Sequence, residues 1–215
     1  MKVIVIGAGE WMGDFVIKKL ADTSHDTIVL TDNDNRKSDL YDLGADEVIV
    51  SKDGEGWTQS FPEGDAVIYV SQASPRSGED KTIAVDVTSV QKVAEAAKHR
   101  HINRFVLLSS IRSDEMSDDQ VEPNHFREKK ENSERFLREE GLTYTIIRPG
   151  LLVSKPGHGK VNAKIASESK PLEGELSIED AATMLVKVIE EERVYNKTIE
   201  ITNGDVAIED VFQTL

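Results

Sequence analysis

Three glycines near the start of the chain, Gly7, Gly9 and Gly13 in VIVIGAGEWMGDFV (Val3 to Val16), have the spacing of a phosphate cradle. In such a turn the first glycine permits a tight bend, the second lets backbone approach a pyrophosphate, and the third lets helix pack on strand. The helix N–H groups and dipole then attract the anion. Gly7 and Gly9 satisfy G-x-G-x-x-G, whose third place holds Met12. Gly7 and Gly13 satisfy G-x-x-G-x-x-G, whose middle place holds Glu10. Glu10 sets a carboxylate where a pyrophosphate also brings negative charge. A turn that binds nothing accounts for the same residues, with Glu10 complementing its own helix N-terminus. Binding survives if the Glu10 side chain points to solvent while the Gly9 N–H faces the phosphate, which predicts a weakened grip.

A second candidate is Asp32, which follows the second predicted strand, 25 positions after Gly7. A carboxylate there hydrogen-bonds the adenosine ribose hydroxyls and repels a 2′-phosphate, which favours NAD over NADP. Arg36, four residues on, reverses that preference if it reaches a 2′-phosphate. Turn formation is the alternative role, because Asp32-Asn33-Asp34-Asn35 is rich in turn formers.

Short β-branched runs alternate with longer amphipathic segments around these residues. The runs are Lys2–Ile6, Thr27–Thr31, Glu47–Val50, Ala66–Val70, Arg104–Ser109, Thr143–Arg148 and Lys197–Thr202. Apolar residues stand back to back in several of them, as strands covered on both faces require. Helical patterns span Met12–Ala21, Lys81–His99, Asn124–Glu139 and Ile178–Glu192. In the second, Ile83, Val87, Val90 and Ala94 mark one buried stripe. Ser177 supplies an N-cap with Glu179 and Asp180 in the first turn of the last. The alternation predicts a parallel sheet with helices on both faces. Residues 151–175, with Pro156, Gly157, Gly159, Pro171 and Gly174, form the least regular stretch. It is placed either to cover a ligand beyond the strand ends or to serve as a plain surface excursion.

With 215 residues and a net charge of −14, the chain is long enough for one well-buried α/β domain, residues 1–215. Its acidity argues against nucleic acid and anionic membranes as partners, and any phosphate site must work through local donors. The absence of cysteine excludes disulfides, thiolate catalysis and zinc–thiolate sites, and no metal site is read. The apolar run before Gly7 is too short for a signal peptide or for a spanning helix of about 20 residues, so the expected location is cytoplasmic.

Taken together, VIVIGAGEWMG, DAVIYVSQA, RFVLLSSI, HFREKK, LTYTIIRPG, KPGHGKV, GELSIEDAATMLV and NKTIEITNGDVAIEDV resemble one family in order along nearly the whole chain. The chain looks like an atypical short-chain dehydrogenase/reductase of the NmrA-like, NAD(P)H-binding group, similar to NAD-dependent epimerases and dehydratases. LTYTIIRPGLLVSKPGHGKV is the most specific part. The resemblance implies an α/β fold, a Rossmann-like doubly wound parallel sheet with helices on both faces and a small C-terminal substrate-covering region. It also implies NAD or NADP across the strand ends.

In active members of that family a serine after strand five and a Tyr-x-x-x-Lys pair carry the chemistry. The tyrosine exchanges a proton with the substrate, the lysine holds the nicotinamide ribose, and the serine orients the substrate. Here Ser109 and Ser110 fall at the serine position, Ser110 being preferred, and Lys130 at the lysine position. The tyrosine position holds Phe126, which keeps the ring and loses the hydroxyl. His125 and His158 are possible substitutes for the missing proton donor, set against plain solvent-facing roles. The family usually has glycine where Glu10 stands, and its NADP users often carry arginine where Asp32 stands. The implied cofactor set is Gly7, Gly9, Glu10, Trp11, Met12, Gly13, Asp32, Ser71, Gln72, Lys130, Pro149 and Gly150, with Lys81 as a possible phosphate contact. Three functions follow in order of preference. The first is a nicotinamide-dependent oxidoreductase or epimerase-like enzyme on a small polar metabolite. The second is an NAD(P)-binding redox sensor acting through a protein partner, and the third a scaffold without cofactor.

Overall fold

The computed structural model describes residues 1–7, 11–50, 61–70, 87–111, 133–166 and 170–215. Its strands are β1 (Lys2–Ile6), β2 (Asp26–Thr31), β3 (Glu47–Val50), β4 (Ala66–Tyr69), β5 (Arg104–Leu108), β6 (Thr143–Pro149), β7 (Leu151–Val153), β8 (Lys160–Ile165), β9 (Glu175–Ser177), β10 (Lys197–Asn203) and β11 (Val206–Ala207). The helices are α1 (Trp11–Ala21), α2 (Lys37–Asp42), α3 (Val87–His99), α4 (133–139) and α5 (Ile178–Lys187). Every predicted apolar run forms a strand within one residue at each end. The main sheet runs β3-β2-β1-β4-β5-β6-β10-β8-β11. It is parallel from β3 to β10, and β8 then pairs antiparallel with both β10 and β11. The protein therefore has a Rossmann-like α/β fold.

Both faces of the sheet are buried, which is why apolar residues stand back to back in its strands. Val3 and Val5 pack with α1 and α5, while Ile4 and Ile6 pack with α3 and α4. In α3, Val90 and Ala94 are buried as the predicted stripe requires, and Val93 and Ala97 widen it. Ile83 and the side chain of Val87 lie outside the described residues. Among the described residues no helix is long and apolar enough to cross a membrane.

The last predicted helix extends to Glu192, but α5 stops at Lys187. Its N-terminus is capped as expected, with the Ser177 hydroxyl accepting from the Asp180 N–H at 3.0 Å. At the other end the buried Arg104 guanidinium donates to the carbonyls of Val188 (2.5 Å) and Ile189 (2.9 Å), and to Thr145 Oγ1 (2.7 Å). Burial pushes Arg104 down to about 10. The acids Glu190, Glu191 and Glu192 follow, and negative charge opposes the dipole at a helix C-terminus. A cation at the carbonyls and acids beyond them end the helix early.

Strands β7 and β8 lie inside the stretch that sequence reads as irregular, and β9 begins at its last residue. β7 and β9 are short, and all three are held by pairing with distant segments: β7 with β9, and β8 with β10. Gly150 permits this closure. A Cβ there would lie 2.1 Å from the Gly174 carbonyl oxygen and 3.0 Å from Thr202 Cγ2. Next to it, the Leu151 N–H donates to Gly174 O at 3.0 Å and the Gly150 N–H to Ile201 O at 2.8 Å. Gly150→Ala is therefore expected to lower stability by about 1–3 kcal/mol, read as a reduced urea midpoint at unchanged m-value.

Candidate functional site

The strand order reverses at β1. From there the chain goes one way through β2 and β3, then returns on the other side through β4, β5 and β6. In open α/β sheets ligands bind beyond the C-terminal strand ends at such a point. Gly7 follows β1 directly with φ of 91°, a conformation glycine adopts without the penalty a side chain brings. Across the crevice the Val70 N–H donates to Ile6 O at 2.9 Å. Helix α1 begins at Trp11, which is 39% exposed. Met12 is buried in the core, so its side chain is not available to a ligand and its backbone is what it can offer. Gly13 is buried in α1, as the third glycine of the turn requires. Gly9 and Glu10 lie outside the described residues, as do Ser71, Gln72, Lys81, His125, Phe126 and Lys130.

At the end of β2 the structure divides the labour between Asp32 and Asn33. Asn33 makes the turn, its Oδ1 accepting from the Asn35 N–H at 3.1 Å while its own N–H donates to Thr31 Oγ1 at 3.1 Å. Asp32 is exposed, and its carboxylate accepts no hydrogen bond among the described residues. Arg36 reaches back to α1, with Nη2 3.0 Å from Asp14 Oδ2 and Nε 3.2 Å from Asp39 Oδ2. The hydrogen bond to Asp14, opposed by partial burial and aided by the charges of Asp14 and Asp39, holds Arg36 above its ordinary value.

At the ends of β5 and β6 the hydrogen-bond ladder continues past the strands. The Ser109 N–H donates to Ile147 O (2.7 Å) and the Ile111 N–H to Pro149 O (2.9 Å), which sets Ser110 beside Pro149 and Gly150. The two serines differ in environment. Ser109 is buried, and its Oγ lies 2.5 Å from Glu134 Oε1. Ser110 is half-buried, and strand alternation turns it to the opposite face.

Glu134, which sequence reasoning did not single out, ties these elements together. Its carboxylate is almost fully buried on α4. It receives Arg148 Nε at 2.9 Å, Arg148 Nη2 at 2.5 Å and Arg138 Nη2 at 2.8 Å. Burial alone would raise the Glu134 carboxyl. The hydrogen bonds and charge of Arg148, helped by Ser109 and Arg138, outweigh burial and hold it below the usual carboxylate range. A carboxylate so held is a poor proton acceptor, so it orients Ser109 and does not take its proton. The spacing of Glu134 and Arg138 is a helical ion-pair signal, but Arg148 and Ser109 lie 14 and 25 positions away.

His158 is held by its backbone. The N–H groups of Gly157, His158 and Gly159 donate to Glu179 Oε2 (3.1 Å), Asp180 Oδ2 (3.0 Å) and Asp180 Oδ1 (2.9 Å). Lys19 of α1 completes the clamp at 3.0 Å from Glu179. This pins the loop to the first turn of α5. The exposed His158 ring makes no hydrogen bond among the described residues.

Comparison with known proteins agrees with this geometry. Residues 7–192 match the model of a family described as NAD(P)H-binding. An uncharacterized sugar epimerase of Bacillus subtilis is 30% identical over 219 residues, covering 100% of both chains. A solved structure of a candidate NAD-dependent epimerase/dehydratase from Bacillus halodurans superposes with a TM-score of 0.86 at 28% identity, covering 100% of both chains. A short-chain dehydrogenase/reductase from Veillonella parvula, solved in complex with NADP, shares the fold with a TM-score of 0.76 at 13% identity over 96% of both chains.

Proposed function

Because the chain belongs to the NAD(P)H-binding family, we propose that it holds NAD in preference to NADP and acts on a small polar metabolite as an oxidoreductase or epimerase-like enzyme. The observation that carries the cofactor preference is the state of Asp32 and Arg36. The Asp32 carboxylate is exposed at the strand end and accepts no hydrogen bond among the described residues, so it is available to ribose hydroxyls. Arg36, the cation that would welcome a 2′-phosphate, is held between Asp14 and Asp39. A 2′-phosphate entering here meets Asp32 with that cation already neutralised.

The residues fit a dinucleotide. Gly7 gives the tight turn, the N-terminus of α1 faces the pyrophosphate, and Pro149 and Gly150 shape the backbone at the nicotinamide end. When bound, the nicotinamide supplies hydride transfer. The chain's own residues position what reacts with it. Ser110 hydrogen-bonds the substrate oxygen, and Lys130, placed by resemblance, holds the nicotinamide ribose. Phe126 holds no proton, so the proton step is either carried from elsewhere or not required. That substitution also supports a second reading, a redox sensor that binds the cofactor and signals to a protein partner.

Fluorescence titration separates these possibilities. The native protein is expected to bind NADH at least about ten-fold more tightly than NADPH, a difference of about 1.4 kcal/mol. Asp32→Ala is expected to bring the two affinities together. Tighter binding of NADPH by the native protein, or an unchanged ratio in Asp32→Ala, defeats the preference, and no binding of either nucleotide defeats the whole reading. Turnover with quinone, flavin or aldehyde acceptors supports the enzyme, whereas binding with no turnover supports the sensor.

A further inference from the structure

We propose that a pocket between α4, β6, β10 and β8 is a second binding site, built for a small organic phosphomonoester and separate from the cofactor crevice. The pocket has a volume of about 350 Å³, within the usual range for small-molecule sites. Arg138, Arg148, Lys197, Tyr144, Thr198 and Ile165 line it. Among the described residues three cations line it, in a chain of net charge −14. Glu134 bridges the two arginines, and Lys197 adds an ammonium that meets no acid among the described residues. Glu200, opposite Arg148 in the strand register, is paired with Lys164 and accepts the Leu172 N–H.

Several donors remain for a ligand. Lys197 is exposed and makes no ion pair or hydrogen bond among the described residues, and the Tyr144 hydroxyl likewise has no partner among them. Arg138 spends Nη2 on Glu134 and Thr198 Oγ1, which leaves further N–H groups of its guanidinium, and its side chain is 37% exposed. An ammonium, a guanidinium edge and a phenol hydroxyl together suit a tetrahedral oxyanion. Near neutral pH a phosphomonoester carries close to two negative charges, because its second pKa is about 6. That charge suits the Lys197 ammonium and the Arg138 guanidinium. The Tyr144 ring and Ile165, itself 37% exposed, offer an apolar wall to the organic half of the ligand.

The site is distinct from the crevice by position in the fold. Tyr144 is the second residue of β6 and Lys197 the first of β10, so the pocket opens toward the N-terminal ends of those strands. Tyr144 and Pro149 are separated by roughly 17 Å of strand at about 3.3 Å per residue, so the Tyr144–Lys197 end of the pocket lies away from the crevice, while Arg148 at its other end directly precedes Pro149.

Phenyl phosphate is the probe, titrated calorimetrically into the full chain at low ionic strength, with and without saturating NADH. The expected result is one saturable site whose affinity is unaffected by NADH. Lys197→Glu is expected to weaken it at least about ten-fold, and Tyr144→Phe to weaken it less. Affinity is expected to fall as pH drops from about 7.5 to 5, where the ligand takes up its second proton. Lys197 is exposed and unpaired, so the variant should melt with the native protein when no ligand is present, and Lys197→Met serves as a second, milder probe. Absence of saturable binding at millimolar ligand overturns the site. So does full affinity retained in Lys197→Glu and Arg138→Gln, or displacement by NADH, which would put the ligand in the crevice. A protein that binds phenyl phosphate but no nicotinamide nucleotide would sink the cofactor reading and leave this one standing.

Discussion

Glu134→Ala is expected to lower the unfolding free energy by about 3–5 kcal/mol, the usual cost of removing one partner of a buried ion pair. The loss is large because several groups depend on this carboxylate. Arg148 donates twice to it, Arg138 once, and the Ser109 hydroxyl lies 2.5 Å away. Arg148 and Ser109 sit mostly away from water, so their stranded donors are not readily rehydrated. Arg138→Gln removes a partner that is 37% exposed, and is expected to cost no more than about 1 kcal/mol. The pH dependence follows from the lowered carboxyl. Glu134 holds its proton less tightly folded than unfolded, so its contribution is fully present above the unfolded value near 4.5 and disappears as pH falls through the lower folded value. The gap between native protein and Glu134→Ala should therefore be widest at neutral pH and narrow on acidification. Urea unfolding of both proteins across that range checks it. A gap independent of pH would mean that the methylene packing of Glu134, and not its charge, does the stabilising.

Phe126→Tyr is expected to raise turnover by about 10²–10⁴-fold, the usual worth of a positioned general acid–base group. The replacement adds a hydroxyl to a ring already present, four positions before Lys130 in the sequence, the spacing at which residues of a helix share one face. If Lys130 lowers that hydroxyl's pKa as the family resemblance implies, the gain should vanish in Phe126→Tyr/Lys130→Met. The readout is NADH oxidation with whichever acceptor supports turnover, beside NADH affinity, which should hardly move in Phe126→Tyr. A gain at constant affinity identifies the native chain as one that has lost the proton step. No gain in the presence of intact NADH binding defeats that account and favours a substrate that never needed the hydroxyl.

Where a residue's role depends on near neighbours, the sequence was readable. Val3 to Ile6 stand as consecutive apolar residues because the strand is covered on both faces, and the pattern is visible without coordinates. Ser177 precedes Glu179 and Asp180 as a helix start should, and the cap forms. The glycine turn was legible as a turn for the same reason, and the left-handed backbone of Gly7 agrees with it. Strands β7, β8 and β9 were not legible, since β7 and β9 are short and all three pair with segments far along the chain. The early end of α5 was hidden because Arg104, which takes the carbonyls of Val188 and Ile189 just past that end, lies 84 and 85 residues away.

The candidate site divides along the same line. Asp32 and Asn33 are adjacent turn formers with equal claims on the turn, and only the folded chain assigns it to Asn33 and leaves the Asp32 carboxylate exposed. Arg36 reads as a cation available to a phosphate until α1 brings Asp14 against it. Ser109 and Ser110 are indistinguishable as neighbours in a chain, and become different once Glu134 claims the first. The sequence by itself determined the strand and helix periodicity and the glycine turn, because these are properties of side-chain type and local spacing. Only the tertiary structure decided which charges neutralise one another and which face a cavity, because electrostatic partnership depends on distance in space, and the packing of α1, α4 and α5 on the sheet sets those distances.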